Sequence, residues 1–164
     1  MIPRNDSLTG DWQFRQWLQS MLSFIATKVE HYRPLNDSGV EIEHGSVVYA
    51  SGNDEMDLAI YDALSIEKER WIGVTEKDVP DGERGTIKNA GFVEALFEDG
   101  LDLSIKGALV YVSDSLAGAV TNVDSLGAVV GTLADASEYD GVPGSATYNP
   151  YAKIYLRSQC AGRN

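Results

Sequence analysis

Cysteine is almost missing from this sequence of 164 residues: Cys160 stands alone, so neither an intrachain disulfide nor a cysteine-based zinc site can form. Histidine is nearly as scarce, with only His31 and His44, too little for a His-rich metal centre. Basic charge is short as well. Thirteen Lys and Arg face 25 Asp and Glu, a net charge of −12, and an acidic surface repels phosphate backbones and anionic lipid headgroups. Long hydrophobic runs are also missing. The most apolar stretch near the start, residues 17–26, is broken by Gln19, Ser20 and Ser23 and is too short to span a bilayer. Lying behind Asp6 and Asp11, it does not read as a secretion signal either. No nucleic-acid partner and no membrane partner is expected.

What is present is the composition of a globular protein, 43% apolar and 23% charged, long enough for one domain plus an appendage. Two regimes meet at Pro34-Leu35-Asn36-Asp37-Ser38-Gly39, a dense set of turn residues. Residues 1–35 hold four basic and three acidic side chains and one glycine, Gly10; the rest of the chain holds nine basic, 22 acidic and fifteen glycines. The division predicts a helical arm and hinge over 1–38 and a β-rich module over 39–164.

On a helical wheel of about 100° per residue, Phe14, Trp17, Leu18, Met21, Leu22, Phe24, Ile25, Val29 and Tyr32 share one face with Lys28 as its only charge. Gln13, Gln16, Gln19, Ser20, Ser23, Thr27, Glu30 and His31 lie opposite. Asp11 suits the N-cap, and Pro34 forces Arg33 out of helical geometry. The pattern predicts one amphipathic helix over 11–33. Its apolar face needs a covering surface, either this chain's own β-module or a neighbouring subunit or other partner, and the sequence leaves both open.

The glycine rhythm of the remainder predicts short strands separated by turns: 40–42, 47–50, 56–61, 71–75, 86–88, 92–97, 108–112, 119–122, 128–133 and 153–157. Period-two alternation is clear at Met56/Leu58/Ile60 and Ala152/Ile154/Leu156. Residues 67–70 could form a helical turn. The expected fold is mainly β, a compact β-barrel or β-sandwich preceded by one N-terminal helix. Residues 135–151 read as a long loop carrying Tyr139, Tyr148 and Tyr151, either a plain surface excursion or a contact surface.

No catalytic constellation emerges. Asp37-Ser38-Gly39 matches an acid-protease triplet but occurs once and follows no apolar strand, so a turn is expected. The acidic runs 54–57 and 98–102 lack the twelve-residue spacing of a calcium loop. Gly82-Glu83-Arg84-Gly85 has neither the glycine spacing nor the lysine of a phosphate cradle, and there is no Gly-x-Ser-x-Gly elbow. The expectation is a non-enzymatic protein without catalytic, cofactor or metal sites; a hydrolase with dispersed catalytic residues would have to reveal itself by turnover.

From residue 45 onward a series of short motifs stands in a telling order: Gly45-Ser46-Val47-Val48, Trp71-Ile72-Gly73-Val74, Gly82-Glu83-Arg84-Gly85-Thr86-Ile87, Gly91-Phe92-Val93-Glu94, residues 106–114 and 117–122, then Val130-Gly131-Thr132-Leu133. The series resembles the small β-rich capsid decoration, or cement, proteins of tailed bacteriophages, over about two-thirds of the chain. The resemblance implies a virion protein made in the host cytoplasm and seated on the exterior of the head, often as a homotrimer, with the major capsid protein as its partner. The arm and the 135–151 loop lie outside that resemblance. They leave room for a head-fibre or tail appendage with a receptor- or glycan-binding role, in which Tyr139, Tyr148 and Tyr151 would form a stacking surface.

Overall fold

The computed structural model describes residues 13–22, 33–124 and 126–157. Residues 13–22 are helical (α1), inside the span that the wheel predicts. Of the helix-face residues, Phe24, Ile25, Val29 and Tyr32 lie outside the described residues, as does the proposed cap Asp11. Arg33, just before Pro34, is not helical. The chain divides into two compact units, Met1–Tyr32 and Arg33–Asn164.

The second unit is mainly β, as expected, with two five-stranded sheets, one of them a half-barrel. The first contains β1 (Leu35–Asn36), β2 (Val47–Ala50), β3 (Glu55–Leu58), β4 (Trp71–Thr75) and β5 (Ile87–Lys88), in the order β1-β3-β2-β4-β5. The second contains β6 (Gly91–Leu96), β7 (Leu109–Val112), β8 (Val120–Thr121), β9 (Val129–Asp135) and β10 (Tyr151–Leu156), in the order β6-β10-β9-β7-β8. A 3-10 turn, Ile66–Glu69, falls where residues 67–70 suggest one.

Alternation in the sequence becomes alternation of faces. In β10, Ala152, Ile154 and Leu156 are buried while Lys153 and Tyr155 are exposed. These inward residues join Val93 and Ala95 of β6, Val110 and Val112 of β7, and Val47, Trp71 and Val74 of the first sheet in one core. The first sheet is buried on its other face too. Val48 and Met56 pack there against Ile42 and Val79, with Leu58, Ile72 and Ile87 around them. A sheet covered on both sides has little need of polar alternation, which is why β2 and β4 read as nearly continuous apolar runs.

Two segments differ from the sequence reading. Residues 34–39, which composition marks as a hinge, belong to the second unit: Leu35 and Asn36 pair in parallel with Glu55 and Met56. Residues 40–42 form no strand; Ile42 alone makes a bridge, exchanging hydrogen bonds with Val79 at 2.9 and 2.8 Å. Both outcomes trace to Asn36, which is fully buried. Its amide donates to the carbonyls of Val40 and Val79 at 2.7 and 2.8 Å. Its oxygen accepts from the Ser38 N–H and hydroxyl at 3.0 and 2.7 Å. Asp37-Ser38-Gly39 is therefore a turn organised by the preceding asparagine, with Gly39 at φ 77°. Asn36→Ala removes one donor from each of the Val40 and Val79 carbonyls, which keep the Ser38 hydroxyl and the Ile42 N–H, and strips Ser38 of its acceptor; it is expected to cost about 1–3 kcal/mol, read as a lower urea midpoint with unchanged slope, and an unchanged midpoint would show that the turn holds without the side chain.

Candidate functional site

Three surfaces qualify as places where this chain could meet something else. The first is the apolar face of α1. Phe14 and Trp17 are 58% and 57% exposed, and Leu18, Met21 and Leu22 are exposed as well. The Phe14 and Trp17 rings stack with centroids 6.0 Å apart, a pre-assembled aromatic pair at the N-terminal end of the stripe. Large solvent-facing apolar side chains in register along one helix face are the signature of a docking surface.

The second surface is a groove of about 520 Å³ in the β unit, lined by Glu41, Glu43, Leu58, Leu96, Leu116, Tyr148 and Tyr151 among others. Five distant stretches of sequence build it: the segment before β2, the end of β3, the end of β6, the turn before β8, and the approach to β10. A glycine next to the groove seats one of its rings. Gly45 has φ +75°, and a Cβ there would stand 3.0 Å from the Leu96 nitrogen and 3.2 Å from the Tyr151 ring, so only glycine lets the ring lie on the backbone. The Leu96 N–H donates to the Gly45 carbonyl at 2.8 Å, and the Gly45 N–H to that of Thr75 at 2.8 Å.

The Tyr151 ring stacks on His44 at 4.1 Å, and its hydroxyl reaches Glu43 Oε2 at 3.5 Å. Burial, then the negative charges of Glu43 and Asp78, push its pKa up to about 12, so it stays a neutral donor. His44 is itself held, its N–H donating to Asp78 at 2.8 Å. Tyr148 donates to Asp99 at 2.8 Å, a bond that raises its pKa. The loop end beneath these rings is set by Asp140, which accepts from the Ser145 and Thr147 hydroxyls at 2.7 and 2.6 Å and from the Val142 N–H at 3.1 Å. Those bonds, Thr147's first, lower the pKa of Asp140.

Of the three tyrosines in residues 135–151, the structure thus brings Tyr148, in the loop, and Tyr151, the first residue of β10, to one groove and sends Tyr139 elsewhere. Tyr139 packs edge-on against Phe97 at 6.1 Å, and its hydroxyl donates to the Glu98 carbonyl at 2.7 Å while accepting from the Leu101 N–H at 3.3 Å. It pins the loop to the core and is not part of an exposed stacking surface with the other two.

The third surface has no counterpart in the sequence reading. On the outer face of the second sheet, Phe92, Tyr155, Thr132 and Leu109 stand in one cross-strand row. Phe92 and Tyr155 are 57% and 50% exposed and meet edge-to-face at 5.1 Å. The signal available in sequence was Tyr155 at an outward position of β10; its neighbours depend on strand pairing.

The acidic runs are engaged locally. Glu98 accepts from the Ser113 and Ser115 hydroxyls, Asp54 pairs with Arg84 at 2.5 Å, and Asp102 caps the Ser104 N–H at 3.0 Å. Among the described residues, no group of three His, Cys, Asp or Glu comes together as a metal site, and no helix is long and apolar enough to cross a membrane. No protein-family model matches this chain, and no curated protein matches it.

Proposed function

We propose that this chain is a non-enzymatic virion structural protein that binds the exterior of a tailed-phage capsid and stabilises the head, working as a homotrimer against the major capsid protein. The observation that carries this reading is the exposed apolar face of α1, Phe14, Trp17, Leu18, Met21 and Leu22, borne by a chain whose remainder is an acidic β unit. Aromatic and aliphatic anchors of this kind dominate protein interfaces once they are dry, and many copies on one particle make weak contacts collectively strong. The surplus of carboxylates keeps the module away from packaged nucleic acid, and the outward Phe92–Tyr155 pair offers a second apolar contact.

The test is the copy number of this chain in purified virions, by quantitative mass spectrometry against the major capsid protein. Cementing predicts a simple fraction or multiple of the number of capsid subunits. A handful of copies would favour the second reading, a head-fibre or tail appendage that binds a receptor or glycan, for which the pairing of Tyr148 and Tyr151 in one groove speaks. Absence from the particle would overturn both.

A further inference from the structure

We propose that the groove between Glu41, Glu43, Tyr148 and Tyr151 is a docking site for an extended segment of a partner protein that carries an arginine or lysine beside an aliphatic residue. The proposal concerns the β unit alone and does not depend on the head-binding reading. At about 520 Å³ the groove has the size of a ligand site, and its floor is apolar: Leu58, Leu96, Leu116 and the face of Tyr151. The charge on its walls has one sign. Glu41 and Glu43 line it, Asp99 is bonded to the Tyr148 hydroxyl, and no lysine or arginine lies among its described lining residues.

The hydrogen-bonding inventory narrows the occupant further. Carboxylates only accept, and both tyrosine hydroxyls already donate to carboxylates, Tyr151 to Glu43 and Tyr148 to Asp99. A neutral sugar would bring donors and acceptors in equal measure and find few free donors here. A guanidinium or ammonium brings donors alone. Its methylene stem can lie on the leucines, its charge can sit over an aromatic face, and its head group can meet Glu41 and Glu43 in charge-assisted hydrogen bonds. The residue beside it, if aliphatic, fills the Leu58–Leu116 end. A segment rich in Asp or Glu is excluded by like charge.

The experiment titrates the full-length, isotope-labelled protein with the peptide acetyl-Gly-Leu-Arg-Leu-Gly-amide and follows backbone amide shifts. The expected result is a saturable change confined to the neighbourhood of Leu116, Tyr148 and Tyr151, weaker in high salt. The same peptide with glutamate for arginine should give none. Glu41→Gln with Glu43→Gln, two exposed positions whose exchange leaves the core intact, should weaken binding about tenfold, the loss expected for a charge-assisted contact. Tyr148→Ala should weaken it independently. No change at the groove at millimolar peptide would overturn the proposal, as would changes that ignore the double substitution. A neutral glucan oligosaccharide that shifts the groove amides when the peptide does not would assign the site to carbohydrate instead.

Discussion

Replacing Trp17 and Leu22 together with aspartate is expected to abolish self-association and head binding while leaving the β unit folded. Each large apolar side chain that becomes buried contributes about 1.5–3 kcal/mol, and a central aromatic anchor reaches 2 kcal/mol or more. Losing two of them, with carboxylates placed where the interface must be dry, removes at least about 4 kcal/mol for each copy, roughly a thousandfold in association. The two core clusters of the β unit are built from residues 42–156, so a fold that rests on them is expected to survive the exchange. Sedimentation velocity gives the mass of the doubly substituted chain, co-sedimentation with heads from its source gives binding, and urea unfolding gives the state of the β unit. A variant that still binds heads and keeps the parent's mass would make the arm an internal packing element. A variant whose urea midpoint collapses would show that the apolar face supports its own β unit.

The helix over residues 13–22 was legible because helical periodicity is local: Phe14, Trp17, Leu18, Met21 and Leu22 declare one face without reference to the rest of the chain. β10 was legible for the same reason, through Ala152, Ile154 and Leu156, and the other strands of the second sheet through the glycine-rich turns that separate them. What the sequence could not convey is pairing. β1 looked like a hinge because two residues, Leu35 and Asn36, carry no periodicity; their strand character comes from Glu55 and Met56, twenty positions away. The candidate groove was hidden in the same way. Its carboxylates come from positions 41 and 43, its leucines from 58, 96 and 116, its rings from 148 and 151, and only the meeting of the two sheets brings them together. The tyrosine-bearing loop was read one residue too long at each end, since Asp135 closes β9 and Tyr151 opens β10, and which tyrosine turns inward depends on the Glu98 carbonyl that accepts from the Tyr139 hydroxyl.

The same distinction governs the largest stability effect expected in the β unit, at Trp71. Strict alternation along Trp71-Ile72-Gly73-Val74-Thr75 would place Trp71 and Val74 on opposite faces of β4. The register shift between Val48 and Tyr49 reverses this: Val47 pairs with Val74 and Tyr49 with Trp71, so the extra residue of a bulge returns Trp71 to the face that Val74 occupies. There the indole is 2% exposed within the shared core. Its N–H crosses to the other sheet and donates to the Val129 carbonyl at 3.1 Å. Trp71→Ala therefore empties the largest volume in the core and removes a side-chain hydrogen bond between the sheets, for about 3–5 kcal/mol. Against a total stability of roughly 5–15 kcal/mol, that lowers the melting temperature by about 10–20 °C. Trp71→Phe separates the two contributions, since it keeps most of the apolar contact and forfeits the donor, at about 1 kcal/mol beyond the lost ring volume. Calorimetry on both variants decides. A melting temperature for Trp71→Ala within a few degrees of the parent would mean that the sheets are held by the rest of their shared core, Val47, Val74, Val110 and Ile154 included, and that the bulge serves some purpose other than delivering the indole.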